Sequence, residues 1–252
     1  KVLEASKNSQ VKRVIFTSSA AAIGLSDNPD MPSDESADFN LAPEHFYYGY
    51  TKVLAENIVQ EFVADGLDIV IVNPVVVIGA GDLNMISGTY ITQVAQWQWL
   101  VPRTSGGIAV SDVRDIAQGH LEAMKKGRTG DRYILSTVNM SNNDWFGLIA
   151  DCLGVASPLF PTPNFLIPVV AKIIELLRAL GIQTTLNADQ VRLGAKFVYF
   201  DNTKAQQALY QPQINMRESV QATIQWYREM DYIKEGRLFR FLKFVGKLWQ
   251  RG

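Results

Sequence analysis

The chain alternates between short apolar runs and longer segments in which apolar residues recur every three or four positions. The first apolar run, 13–17, is followed by a loop rich in Pro, Asp and Ser over 26–43, a helical pattern over 47–63 and a second apolar run at 68–72. Short continuous apolar runs are typical of strands that are buried on both faces of a parallel sheet. The order strand, loop, helix, strand therefore predicts a right-handed crossover unit.

The remainder of the chain continues these two patterns and predicts an α/β fold. Further helices are predicted over 89–99, 116–126, 203–209 and 216–230, after Ser141 and within 165–180, and further strands over 132–135 and 196–200. Asp115 is predicted to be the N-cap of the helix over 116–126, because its carboxylate can accept hydrogen bonds from the free amides of the first turn. Asp201 is predicted to cap the helix over 203–209 in the same way.

Composition excludes several classes of protein. A chain of 252 residues with 47% hydrophobic residues can bury a large core, and its net charge of −1 gives no reason to expect nucleic-acid binding. The single cysteine, Cys152, cannot form an internal disulfide, and two histidines are too few to complete a zinc site with it. We therefore expect no metal and a reducing, cytoplasmic location. No uninterrupted apolar stretch reaches the roughly 18 residues of a membrane span.

Tyr48 and Lys52 are the first candidates for chemistry. They lie four residues apart in the predicted helix over 47–63, so their side chains leave the same face about one turn apart. A lysine ammonium in that position favours the phenolate, and a tyrosine needs such help near neutral pH because it ordinarily titrates at about pH 10. The alternative is an exposed helix pair without function, since a Tyr-x-x-x-Lys spacing arises readily by chance.

Ser19 strengthens the chemical interpretation of this pair. It follows the first predicted strand, and ligands of open α/β sheets bind beyond the carboxyl ends of the strands. A serine donor, a tyrosine and a lysine can together polarise a carbonyl group, protonate its oxygen and hold a cofactor ribose. Such a set contains no source of hydride, so it implies a nicotinamide cofactor, NAD or NADP.

Three ordered motifs resemble those of extended short-chain dehydrogenases/reductases, in the superfamily of NAD-dependent epimerases and dehydratases. They are VKRVIFTSSAAAIG at 11–24, YGYTK at 48–52 and VNPVVVIGAGD at 72–82, and the similarity continues through SDVRDIAQGH at 111–120 and DNTKA at 201–205. The resemblance covers nearly everything up to about residue 233. Within the superfamily, the chain looks most like dihydroflavonol 4-reductase-like proteins and hopanoid-associated sugar epimerases.

The resemblance implies a role for each motif residue. Ser19 would orient the carbonyl group, Tyr48 would act as general acid/base and Lys52 would bind the cofactor ribose. The cofactor site implied by the resemblance consists of residues at two strand ends and on the helix between them, namely Thr17, Ser18, Tyr48, Lys52, Pro74 and Val77, with the segment from Pro74 to Val77 as a wall beside the nicotinamide ring. The resemblance favours NADP over NAD.

The chain departs from the family pattern at its beginning. It opens at Lys1 in a helical pattern, and no Gly-x-Gly-x-x-Gly or Gly-x-x-Gly-x-x-Gly occurs anywhere in it. Gly79-Ala80-Gly81 lies late in the chain and is interpreted as a turn. We therefore expect a Rossmann-like doubly wound parallel sheet that lacks its first strands, together with a smaller C-terminal substrate-binding part. The expected division is 1–136 for the NAD(P)-binding portion, 137–233 mostly for the substrate-binding part and 234–252 for a tail helix.

The tail over 234–252 concentrates positive charge. It has six basic residues and one acidic residue, a local charge of +5 that leaves −6 for the rest of the chain. On a helical wheel, five basic residues occupy one side, and most of the apolar residues between Leu238 and Trp249 occupy the other. Three alternatives are open for this helix: peripheral contact with an anionic membrane, docking on the chain's own domain, or packing on a partner such as a second copy in a homodimer.

These inferences predict an NAD(P)-dependent oxidoreductase that interconverts a ketone or aldehyde and an alcohol, with a small organic or lipid-like substrate. A nucleotide-sugar epimerase or dehydratase is the alternative enzyme, because it shares the tyrosine and the hydride step. A third hypothesis is a non-catalytic, cofactor-sensing binding protein, although such proteins commonly lose the tyrosine or lysine that are both present here. A fourth is that this chain by itself is an inactive fragment.

Overall fold

The computed structural model describes residues 1–182 and 188–249. Its helices are α1 (Val2–Asn8), α2 (Tyr47–Ala64), α3 (Thr89–Trp97), α4 (Val113–Lys126), α5 (Asn142–Leu153), α6 (Ile167–Ala179), α7 (Ala188–Leu193), α8 (Thr203–Ala208), α9 (Met216–Glu229) and α10 (Arg237–Trp249). Its strands are β1 (Val14–Thr17), β2 (Ile69–Pro74), β3 (Val76–Ile78), β4 (Gly107–Asp112), β5 (Arg132–Leu135), β6 (Val138–Ser141) and β7 (Phe197–Val198). None of the helices in these described ranges is long and apolar enough to cross a membrane.

The chain forms two compact units that alternate along the sequence. Unit 1 consists of Lys1–Val77, Ala109–Val138 and Tyr199–Ile214. Unit 2 consists of Ile78–Ile108, Asn139–Val198 and Asn215–Gly252. The functional division of the sequence at residues 136 and 233 stays a prediction.

A three-stranded parallel sheet organises unit 1. Its strand order is β1-β2-β5, with Thr17 of β1 opposite Val72 of β2, and Pro74 of β2 opposite Leu135 of β5. Every residue of β2 is buried, as expected for the middle strand of a parallel sheet that is covered on both faces. The crossover unit predicted from the apolar runs is therefore confirmed.

Helices cover both faces of this sheet because alternate residues of β2 point to opposite sides. Ile69 and Ile71 pack with Val59 of α2 on one face. Val70 and Val72 belong to a second apolar cluster that includes residues of α4 and α8. The result is the doubly wound arrangement that was predicted, and it leaves the carboxyl ends of β1 and β2 side by side.

A second group of strands has the order β3-β4-β6, with β7 paired to β4. The β4–β7 pairing is parallel and joins Gly107 with Phe197 and Ile108 with Val198. The sequence predicted β7 as a longer strand over 196–200, and it did not predict β4. The glycine at the start of β4 and the serine and aspartate at its end interrupt the apolar run by which a strand is recognised.

The prediction that Asp115 caps α4 was wrong. The helix begins at Val113, and its N-cap is Asp112, whose carboxylate accepts a hydrogen bond from the Arg114 amide at 2.7 Å. The carboxylate of Asp115 instead accepts hydrogen bonds from the amides of residues 213 and 214, at 3.0 and 3.1 Å. A contact over nearly a hundred residues therefore determines the role of Asp115, and no local pattern reveals it.

The other predicted helix starts agree more closely with the structure. Ser141 is the N-cap of α5, and its hydroxyl oxygen accepts a hydrogen bond from the Asp144 amide at 3.1 Å. The N-cap of α8 is Asn202 rather than Asp201, although the Asp201 carboxylate accepts from the Thr203 amide at 2.8 Å. The tail helix is confirmed as α10, and residues 250–252 of the predicted tail lie outside the described residues.

Candidate active site at the carboxyl ends of β1 and β2

Tyr48 and Lys52 lie in unit 1 on one face of α2, as their spacing predicts. The Lys52 ammonium is 5.8 Å from the centroid of the Tyr48 ring and 3.5 Å from the carbonyl oxygen of Thr17. Tyr48 is 56% exposed, whereas Lys52 is half-buried. The phenol is therefore open to a ligand, while the ammonium is held against the carboxyl end of β1.

Ser19 lies just beyond β1, where it caps the short 3₁₀ helix Ala20–Ala22. Its hydroxyl oxygen accepts a hydrogen bond from the Ala21 amide at 3.2 Å, and its carbonyl oxygen accepts one from the side-chain amide of Asn73 at 3.0 Å. A hydroxyl that accepts one hydrogen bond keeps its own hydrogen free to donate. Ser19 is therefore fixed in position with a proton available for a ligand.

The N-terminal turn of α2 packs closely against this 3₁₀ helix at Gly49. A Cβ atom at Gly49 would overlap the carbonyl oxygen of Ala21 and would lie 2.6 Å from atoms of the Phe46 ring. Both distances are shorter than side-chain atoms tolerate, so the approach requires glycine. It brings the helix that carries Tyr48 against the turn that Ser19 caps.

Glu56 anchors the same helix to the sheet, and it lies one turn after Lys52 and two turns after Tyr48. It is buried, and its carboxylate accepts hydrogen bonds from the Ser18 hydroxyl and, at 2.6 Å, from the Asn73 side-chain amide. Arg132 of β5 forms an ion pair with the other carboxylate oxygen at 3.2 Å. One side chain of α2 is thus joined to residues at the ends of β1, β2 and β5.

Arg132 also holds the long loop between β1 and α2. Its guanidinium donates to the carbonyl oxygens of Glu35 at 2.7 Å and of Ala37 at 3.1 Å. The carboxylate of Glu35 in turn accepts a hydrogen bond from the Ile134 amide at 2.8 Å. Burial raises the pKa of Glu35 above its ordinary value, and the Ile134 hydrogen bond only partly offsets this effect.

His120 is the partner of Thr17 at the end of β1. Its Nδ1 lies 2.8 Å from the carbonyl oxygen of Ile116, which can only accept, so Nδ1 carries a proton. In the neutral imidazole, Nε2 then accepts from the Thr17 hydroxyl at 3.0 Å. His45, the other histidine of the chain, is exposed in the loop before α2.

The remaining predicted cofactor residues occupy different environments. Ser18 is buried and its hydroxyl is committed to Glu56, so its side chain belongs to the interior of unit 1. Pro74 is buried at the end of β2, and the three residues that follow it, up to Val77, are half-buried. Val77 packs partly against the apolar cluster that contains Val70 and Val72. The structure therefore places an apolar, partly accessible segment at the carboxyl end of β2.

Sequence reasoning missed Glu56, Asn73 and Arg132. The spacing of Tyr48, Lys52 and Glu56 at intervals of four was visible, but a glutamate on an amphipathic helix is ordinarily exposed. Asn73 and Arg132 have no local signal, because their importance depends on partners 17 and 76 residues away. Among the described residues, no cluster of His, Cys, Asp and Glu could hold a metal ion.

Comparison with known proteins places this geometry in context. The model of the NAD dependent epimerase/dehydratase family matches residues 1–136. A Synechocystis protein named "Putative dihydroflavonol 4-reductase" is 30% identical over 239 residues, which are 92% of this chain and 69% of that protein. Cinnamoyl-CoA reductase 2 from Arabidopsis thaliana is 30% identical over 172 residues, which are 65% of this chain and 50% of the reductase.

A solved structure confirms the fold. A nucleoside-diphosphate-sugar epimerase from Pseudomonas aeruginosa matches 92% of this chain with a TM-score of 0.75, and the match covers 72% of the epimerase. The sequence identity in that match is 24%, so the likeness concerns the Rossmann-like α/β fold alone.

Proposed function

Because the chain belongs to the NAD dependent epimerase/dehydratase family, we propose that it takes part in NAD(P)-dependent interconversion of a carbonyl group and an alcohol, with Tyr48 as the general acid/base. The observation that carries the proposal is the exposed Tyr48 phenol with the Lys52 ammonium 5.8 Å from its ring centroid. The Synechocystis and Arabidopsis thaliana relatives are both named as reductases, which supports reduction rather than oxidation as the physiological direction.

The chemistry of the chain's own residues is proton transfer and charge stabilisation. Tyr48 would donate its phenolic proton to the oxygen of the carbonyl substrate, and the positive charge of Lys52 would stabilise the phenolate that remains. The Ser19 hydroxyl, with its hydrogen free, would donate a second hydrogen bond to the same oxygen. In the direction of alcohol oxidation, the phenolate would take the proton back.

The residues present fit the nicotinamide half of NAD or NADP. Lys52 and Tyr48 offer an ammonium and a hydroxyl, which are suitable partners for a ribose diol. The half-buried segment after Pro74 offers an apolar surface for one face of the nicotinamide ring. The bound dinucleotide supplies or accepts the hydride.

Epimerisation or dehydration of a nucleotide sugar, the alternative enzyme considered from the sequence, is the second candidate, because the family is named for epimerases and dehydratases. The two reactions differ in their use of cofactor. Reduction consumes one NAD(P)H for each molecule of product, whereas an epimerase returns the hydride within the same catalytic cycle. Measuring cofactor consumption alongside product formation therefore separates reduction of a small organic or lipid-like carbonyl compound from epimerisation.

The test of the proposed acid/base is Tyr48→Phe in the whole protein. We expect kcat/KM to fall by about 100-fold or more, the usual scale of general acid catalysis, with little change in cofactor affinity. Tyr47→Phe is the matched control, because Tyr47 precedes Tyr48 on α2 and is 71% exposed. Equal activity of the two variants would overturn the assignment of Tyr48.

A further inference from the structure

In unit 2, α10 packs through only one of its faces. Its buried residues are Phe239, Leu242 and Gly246. The side-chain amide of Gln98 donates to the carbonyl oxygen of Phe239 at 2.9 Å, and the indole of Trp99 donates to that of Leu242 at 3.1 Å. This face of α10 is therefore buried by docking on the chain's own unit 2, which was one of the three alternatives for the tail.

The opposite side of α10 carries a second apolar stripe. Phe241, Phe244 and Leu248 recur at intervals of three and four, and they are between 56% and 63% exposed. At 3.6 residues per turn, this stripe lies on the far side of the helix from the buried residues. Docking on unit 2 thus leaves two phenylalanines and a leucine with no covering surface.

Basic side chains border the exposed stripe. Arg240 and Lys247, seven residues apart, lie along one edge of it, and Arg237 lies at its beginning. All three are exposed, and none forms an ion pair with any residue of 1–182 or 188–249. The solvent-facing surface of α10 therefore combines aromatic residues with uncompensated positive charge.

We propose that the stripe formed by Phe241, Phe244 and Leu248 binds the surface of an anionic membrane. An interfacial helix lies in the membrane plane with its apolar residues among the acyl chains and its basic residues at the lipid phosphates, and α10 offers both at once. A protein partner suits this surface less well, because charged residues are depleted from the cores of protein interfaces and the three charges beside this stripe are all positive. The apolar face stays available for lipid while the buried face holds the helix on unit 2.

The basic residues supply a measurable share of this binding. A basic side chain close to an anionic membrane strengthens binding by about fivefold. Removing the charges of Arg240 and Lys247 is therefore expected to weaken binding to anionic membranes by roughly 25-fold. The apolar stripe contributes to binding irrespective of lipid charge, so its removal acts on neutral and anionic membranes alike.

The experiment is vesicle binding by the 252-residue chain, measured by sedimentation with vesicles of phosphatidylcholine alone or mixed with phosphatidylserine. We expect binding to the mixed vesicles that weakens as salt is added, and much weaker binding to phosphatidylcholine. The double variant Arg240→Gln/Lys247→Gln is expected to bind the mixed vesicles roughly 25-fold more weakly, with little change in binding to phosphatidylcholine. Its control is Lys7→Gln/Lys12→Gln, which removes the same charge from two exposed positions outside the tail.

A second pair of variants tests the apolar stripe. Phe241→Ser/Phe244→Ser is expected to reduce binding to both kinds of vesicle, whereas Leu83→Ser/Ile86→Ser, at equally exposed apolar positions, is not. Equal binding of the unaltered chain to both vesicle types, or binding to neither, overturns the proposal. A change from dimer to monomer in Phe241→Ser/Phe244→Ser, with vesicle binding unaffected, would identify a second copy as the occupant instead.

Discussion

Removing the Glu56 side chain is the sharpest test of how the candidate site is held together. Glu56→Ala would leave three donors without their acceptor, on Ser18, Asn73 and Arg132. An unsatisfied buried donor costs about 1–3 kcal/mol, and breaking a buried ion pair costs about 3–5 kcal/mol. Arg132 keeps two backbone acceptors, and water can enter the vacated space. We therefore expect the free energy of unfolding to fall by about 3 kcal/mol, the lower end of the range for a broken buried ion pair.

The assay is urea unfolding followed by circular dichroism. At a slope of about 3 kcal/mol/M, the expected loss moves the unfolding midpoint by roughly 1 M. Glu56→Gln keeps the shape and one acceptor oxygen and should therefore lie between Glu56→Ala and the unaltered chain. Glu61→Ala is the control, because Glu61 is exposed on the same helix and its removal should change stability by less than about 0.5 kcal/mol. If Glu56→Ala and Glu61→Ala unfold at the same urea concentration, the anchoring role of Glu56 is refuted.

Three further predictions concern the packing at Gly49, the burial of Glu35 and the binding of the cofactor. Gly49→Ala should lower the free energy of unfolding by about 1–3 kcal/mol, because the added methyl group would overlap Ala21. Gly147→Ala on α5 is the control: the space around Gly147 is open, so this variant should raise the free energy of unfolding by up to about 1 kcal/mol. If thermal unfolding ranks the two variants in the opposite order, the close packing at Gly49 is refuted. Burial raises the pKa of Glu35, so its favourable protonated form is lost as pH rises through the folded-state pKa. Glu35→Gln, which keeps an oxygen for the Ile134 amide, should therefore be more stable than the unaltered chain at neutral pH but not at about pH 4, and a pH-independent difference would contradict this reasoning. Calorimetric titration of the 252-residue chain should show at best weak binding of NAD and NADP, because the sequence has no Gly-rich turn to hold a pyrophosphate; micromolar binding of either would mean that another loop holds the phosphates.

Elements with strong periodicity were predicted well from the sequence. The apolar runs at 13–17 and 68–72 became β1 and β2, and the helix predicted over 47–63 extends one residue further. These elements are determined by burial of their own side chains, which a local pattern records directly. The candidate residues Tyr48 and Lys52 were found for the same reason, since both lie on one regular helix.

Features that depend on distant partners could not be predicted. Asp115 has the residue type and position of an N-cap, yet it binds amides of the segment after α8. Glu56 has the local pattern of an exposed helical residue, and only the fold brings Arg132 to it. The tail was recognised as amphipathic, but a helical wheel could not show that its apolar residues divide into a buried and an exposed set.

Side chains bind the outer edge of β5, so the two edge strands of the unit 1 sheet, β1 and β5, have different surroundings. Two backbone groups of β5 that point away from β2 are bound by side chains: the Ile134 amide donates to the Glu35 carboxylate, and the Arg132 carbonyl accepts from the Lys204 ammonium at 3.0 Å. A further strand could join there only by displacing two charged side chains, whose alternative position is in water. At the other end, β1 is the terminal strand among the described residues. The two edges of this sheet therefore differ in what an added strand would meet, whether that strand came from the same polypeptide or from a neighbouring molecule.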